Sequence, residues 1–138
     1  MGYDLINSKG FFRFNGFVWH RVLILAQYFG WKPMGTVMPE GNAKLLFGDW
    51  RSNEESVQEF IKSWEGGYNS NDFQLVVKED ALNLAHALMK AMEVLPDEVN
   101  DMEYFSKDGA IDYFSGKAWK NRLNEFIQFC KNGEFDIT

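Results

Sequence analysis

Ala81, Leu84, Ala85, Leu88, Ala91, Met92 and Leu95 recur at spacings of three and four, which commits residues 81–95 to an amphipathic helix with one buried side. Glu79 and Asp80 supply carboxylates where a helix N-terminus favours them, and Pro96 stops the pattern. So long an apolar stripe needs opposing apolar surfaces, and the chain offers three. Val57, Phe60, Ile61 and Trp64 lie at i, i+3, i+4 and i+7 behind a Ser52–Glu55 capping box, predicting a helix that ends at Gly66-Gly67. Trp119, Leu123, Phe126, Ile127 and Cys130 share one face of a last helix, started near Ser115 and stopped by Asn132-Gly133. Phe17 to Phe29 is apolar almost all round, which predicts a deeply buried helix capped by Asn15 and ended at Gly30.

The remaining apolar segments read as short strands. Tyr3 to Ile6 and Phe11 to Phe14 flank the turn residues Asn7-Ser8-Lys9-Gly10, the pattern of a hairpin. Phe73 to Val77 reads as a strand leading into the central helix, and Phe135 and Ile137 alternate with polar neighbours, enough to add a strand to the hairpin. Met34 to Trp50, with Gly35, Pro39, Gly41 and Gly48, reads as a long connection with a brief strand at Lys44 to Phe47, and Asp97 to Ser115 as one short helix with an irregular return. The expected fold is α+β and mainly α: about four helices packed with a small antiparallel sheet formed by the N-terminal hairpin and short later strands, in a single globular domain over residues 1–138.

Thirteen Phe and five Trp within a 46% hydrophobic chain exclude the composition of a disordered protein. Cys130 is the single cysteine and cannot form an internal bridge, which suits a reducing compartment, and only His20 and His86 are available to join it around a metal. No basic leader, spanning segment or lipid-anchor pattern is recognised, so the expected location is cytoplasmic, with no membrane partner. A net charge of −6 opposes attraction to phosphate backbones, so nucleic acid is not expected. It favours a basic protein as partner, with Asp97-Glu98 and Asp101-Glu103 as acidic patches.

WEGGYNSNDFQLVVKED, from Trp64 to Asp80, is the segment richest in chemistry. Started at Asn69 as a calcium loop it fails, because Phe73 takes a ligand position and Gln74 the glycine position. It reads better as helix stop, turn and strand-to-helix connection, with Gly67 as the residue to test for a positive φ. A ligand-contacting loop is the other reading. A pocket between the hairpin and the Tyr68 to Asp72 turn would draw on Asp4, Arg13, Trp31, Trp50, Tyr68, Asn69 and Asn71. Trp31 and Trp50 sit near predicted loops and are the tryptophans expected to be exposed. His20 and His86 have no local catalytic partner, and no nucleophile elbow, phosphate loop, HExxH or CxxC is present. The expectation is therefore a non-catalytic protein-binding module of the immunity or inhibitor kind, with no metal or cofactor. The alternative is a small-molecule-binding protein or enzyme using the Tyr68 turn.

MGYDL at the start, FRFN followed by Trp19, GWKPMGT, YNSNDFQLVVKEDALNLAHAL and the closing FIQFCKNGEFDI together resemble a family of small, uncharacterised bacterial proteins. Those proteins share an Asn-containing turn before a DA..LA..L helix and an FC-then-Gly-Phe ending. The resemblance implies a bacterial, single-domain, soluble protein and carries no activity or site residue. Gly133-Glu134-Phe135 stands where the family pattern has Gly-Gly-Phe.

Overall fold

In a computed structural model that describes residues 2–47, 54–99 and 107–138, the chain opens with the hairpin its turn residues predict. Strand β1 (Gly2–Asn7) pairs antiparallel with β2 (Gly10–Asn15), and Asn7 Oδ1 accepts from Lys9 N–H at 2.9 Å to close the turn. Helix α1 (Gly16–Tyr28) follows at once because Asn15 caps it, accepting from Val18 N–H at 2.8 Å. After α2 (Glu40–Phe47) and α3 (Glu54–Ser63), β3 (Gln74–Val76) leads into the central α4 (Lys78–Val94). Helices α5 (Lys107–Tyr113) and α6 (Lys117–Lys131) precede β4 (Phe135–Ile137).

These elements make the α+β fold that the periodicities predict. The sheet runs β2-β1-β4-β3, antiparallel throughout, so the strand read from Phe135 and Ile137 lies between the hairpin and β3. One face of the sheet packs on the helices. Leu5, Phe12 and Phe14 of the hairpin, Val76 of β3, and Phe135 and Ile137 of β4 are buried there with Leu84 and Leu88 of α4 and Leu123, Phe126 and Ile127 of α6. Trp19 of α1 is fully enclosed, its ring edge-on to Phe126 at 5.9 Å. Cys130 lies in this core, and burial first, then the charge of Asp80, pushes its thiol well above the ordinary range.

Three local expectations are corrected. Residues 40–47 are helical instead of a connection with a strand at Lys44 to Phe47. Val37 already occupies the outer side of β3, exchanging hydrogen bonds of 2.9 and 2.8 Å with Leu75, so a strand at 44–47 would lack that edge. As a helix, the segment buries Ala43 against Met38 and Val57 and pairs Glu40 with Lys44 one turn apart at 3.3 Å. Helix α1 is buried on one face only, since Phe17 and His20 are exposed. The last helix begins at Lys117, because Ser115 is buried and ends α5 by donating its hydroxyl to Asp112 C=O at 2.6 Å. The Ser52 half of the capping box falls outside the described residues.

Candidate functional site

The segment from Trp64 to Asp80 is ordered by two buried polar side chains that were assigned no functional role from the sequence. Gln74 points into the core at the start of β3. Its Oε1 accepts from Thr36 Oγ1 at 2.6 Å and Tyr68 N–H at 2.9 Å, while Nε2 donates to Ser70 C=O at 2.7 Å. With a second bond from Nε2 to Ser70 Oγ at 3.1 Å, every hydrogen-bonding direction of the amide is used to wrap the turn around it. Asp80, fully buried in the first turn of α4, accepts from Trp31 Nε1–H at 2.9 Å and from the Tyr68 hydroxyl. Tyr68 Oη in turn accepts from Gly35 N–H at 3.0 Å. Burial, then the bond to Asp80 and its charge, raises the Tyr68 phenol far above its ordinary value.

This network fixes where several of the sequence-predicted ligand residues lie. Trp31 is not exposed but only 3% accessible, because its indole N–H is spent on Asp80. Tyr68 is likewise buried, with its ring edge-on to Trp31 at 5.3 Å. The expected junction between hairpin and turn is tied shut instead of open, with Tyr3 Oη donating to Asn69 C=O at 2.9 Å and Asn71 Nδ2 to Gly2 C=O at 3.3 Å. Asp4 and Arg13 lie elsewhere, as a cross-strand ion pair of 2.8 Å on the opposite face of the sheet. Trp50 is outside the described residues. Trp31, Tyr68 and Asn69 do meet at a small groove of about 190 Å³ that His20 also borders, but it lies against α1 and not against the hairpin.

The turn adopts the positive φ expected of it at a different residue. Gly66 has φ +74° and Tyr68 +66°, whereas Gly67 is outside the left-handed region with open space around it. Gly66 is also where the backbone comes closest, since a Cβ there would stand 2.8 Å from Thr36 C=O. Among the described residues, no group of three or more His, Cys, Asp or Glu could hold a metal ion. His20 and His86 are both exposed. Of the anticipated acidic patches, Asp97 is engaged by Lys120 at 2.8 Å, a bond that lowers its carboxyl pKa, while Asp101-Glu103 lies outside the described residues.

The second surface with chemistry is the sheet face turned away from α4 and α6. Strand alternation that sends Leu5, Phe12, Phe135 and Val76 inward sends Ile6, Phe11, Asp136 and Leu75 outward. Register aligns them: Phe11 opposite Ile6, Ile6 opposite Asp136, Asp136 opposite Leu75, and Leu75 opposite Val37. The result is one transverse apolar row with a carboxylate at its centre. Phe11 is 70% exposed, and Ile6 and Val37 are each 43% exposed. Asp136 borders an open groove of about 590 Å³ with Ile6, Pro39, Leu75, Lys78 and Glu134. Its carboxyl accepts from Asn42 Nδ2 at 2.7 Å, yet burial and the neighbouring Glu134 charge hold its pKa above the usual range. The hairpin signal was visible in the sequence, but this row required the pairing of five separate segments.

The chain is thus an α+β protein with α4 and α6 packed on one side of an antiparallel sheet, and the other side open along that row, where Asn42 of α2 reaches Asp136. No helix among the described residues is long and apolar enough to cross a membrane. No family model matches the chain, and comparisons with curated proteins and with solved structures find no match.

Proposed function

We propose that the protein is a non-catalytic protein-binding module of the immunity or inhibitor kind, and that a basic partner docks on the open face of its sheet. The observation that carries this reading is the row of exposed Phe11, Ile6 and Val37 and half-buried Leu75 with Asp136 at its centre. Apolar side chains of this size supply the buried anchors of an interface, and carboxylates beside them select the charge of the partner. Asp136 and Glu134 repel each other, so a lysine or arginine brought between them gains attraction to both and relieves that repulsion. The chemistry a catalyst would need is meanwhile spent internally, because Asp80, Tyr68 and Trp31 bind one another.

The test is recovery of a basic protein from a bacterial host lysate at low salt, with the wild-type chain and a Phe11→Ser, Ile6→Ser variant as paired baits. The resemblance to small bacterial proteins motivates that choice of lysate. A basic protein held by the wild type, lost from the variant and released by salt supports the proposal. Equal recovery by both baits, or no partner at all, overturns it.

The alternative, small-molecule binding or catalysis beside the Tyr68 turn, has in its favour that Trp31, Tyr68, Asn69 and His20 border one groove. Its volume of about 190 Å³ is below the roughly 300–1,000 Å³ of ordinary ligand sites. The polar atoms of Trp31 and Tyr68 also point away from it toward Asp80, so the interface reading is the stronger.

A further inference from the structure

We propose a second site, independent of the sheet face: the groove between the C-terminal end of α1 and the outer side of α4 binds a small phosphate monoester. Asn83, His86, Ala87 and Lys90 recur at three- and four-residue steps, which puts them on one face of α4 over two turns. Lys32 faces them from the connection after α1, and all five border an open groove of about 420 Å³ whose apolar floor includes Phe29. Lys32 is held near α4 through its neighbour, since Trp31 Nε1 is hydrogen-bonded to Asp80 of that helix at 2.9 Å.

Charge bookkeeping sets this groove apart. The chain has 20 acidic and 14 basic residues, so carboxylates are in excess as partners for its cations. Arg13, Lys44, Lys120 and Arg122 each do so, at 2.8, 3.3, 2.8 and 3.5 Å. Among the described residues Lys32 and Lys90 form no such ion pair, and they differ from other unpaired lysines such as Lys9 and Lys131 in bordering one groove that no acidic residue lines. Two uncompensated ammonium groups, the Asn83 amide and the His86 imidazole therefore face one space in an otherwise acidic protein. Ammonium and amide donors of this kind bind the oxygens of a dianion through charge-assisted hydrogen bonds.

The ligand's size follows from the surroundings. The partly exposed ring of Phe29 offers an apolar surface that inorganic phosphate would leave unused, which favours an ester with an apolar body. Glu79 and Glu93, exposed on α4 beyond either end of the set, repel a polyanion extending along the helix and so disfavour nucleic acid.

Amide NMR titration of the full chain with phenyl phosphate, inorganic phosphate and phenol tests the assignment, comparing the wild type with Lys32→Gln, Lys90→Gln and with a control Lys9→Gln, Lys131→Gln. All four lysines are exposed, and the amide spectrum itself reports that each variant is folded. The expected result is saturable shifts at Lys32, Asn83, His86 and Lys90, with phenyl phosphate tighter than inorganic phosphate and phenol without effect. Removing the two ammonium groups weakens binding by about tenfold or more, while the control changes it little. A phosphotyrosine peptide separates the two sources of such a group: binding weaker than phenyl phosphate supports a free small molecule, and tighter binding overturns that part in favour of a modified protein. Absence of saturable shifts at these residues, or equal loss in both double variants, overturns the site itself.

Discussion

Replacing Asp80 by Ala removes the acceptor of a long bond from Met34 N–H at 3.5 Å and of two stronger donors, Trp31 Nε1–H and the Tyr68 hydroxyl, both belonging to side chains at least 95% buried. A buried donor left without a partner costs about 1–3 kcal/mol, so the pair costs about 4 kcal/mol. Against a total stability of about 5–15 kcal/mol, that is a large fraction. For a chain of 138 residues it lowers the melting temperature by on the order of 15 °C. Urea unfolding followed by circular dichroism gives the measurement, with the midpoint falling and the slope unchanged. Tyr68→Phe supplies the second leg of a cycle, because it leaves one Asp80 oxygen and the Gly35 N–H short of a partner. In the double variant these penalties overlap, so its loss falls short of the sum by about 1–2 kcal/mol. An Asp80→Ala loss under about 1 kcal/mol, or strict additivity with Tyr68→Phe, would refute the view that this carboxylate organises the turn.

Gly66→Ala forces a Cβ to 2.8 Å from Thr36 C=O at a φ of +74° and is expected to cost about 2 kcal/mol or more, whereas Gly67→Ala, in open space, stays within about 0.5 kcal/mol; thermal unfolding of the two variants separates them. The raised phenol of Tyr68 means that the folded chain keeps a proton the unfolded chain releases, so its contribution is complete below the ordinary tyrosine value of about 10 and declines as pH rises beyond it. Denaturation midpoints between pH 8 and 11 should therefore fall more steeply, by about a few tenths of a pH-linked proton or more, in the wild type than in Tyr68→Phe. Asp136 has a raised folded pKa, so its stabilising share is present below the ordinary aspartate value and is lost as pH rises through the folded one. Asp136→Asn retains an oxygen for Asn42, and its melting temperature is expected to exceed that of the wild type at pH 7 and to match it near pH 3; the opposite order would contradict the assignment.

Elements whose cause is local were legible in the sequence. The α4 stripe, the Asn15 cap and the alternation of Phe135 with Ile137 each depend on neighbours within a few positions. Helix α2 was not legible, because Gly41 weakens its local helix preference and the decisive term is Ala43 docking against Val57 fourteen residues later. Trp31 was misjudged for the same reason: its position after Gly30 suggests a loop, while its burial depends on a carboxylate 49 residues away. Asp80 reads locally as a helix-terminus charge, and nothing near it in the chain announces that it faces inward. Gln74 gave the one available hint, a polar residue alternating with Val76 on the core side of a strand. The row on the open face of the sheet was not legible because its members come from five stretches that only the register brings side by side.

The position of β4 constrains how the molecule can be made. It leaves the ribosome after the other three strands of the sheet, yet it sits between β1 and β3. Until it arrives, the hairpin and β3 each present an unpaired edge, and the inward side chains of both await Phe135 and Ile137. Closing that gap brings together residues separated by nearly the whole chain, the kind of contact that slows folding. During synthesis the nascent chain therefore carries two open strand edges, and the interval before β4 inserts is when pairing with another chain competes most directly with folding.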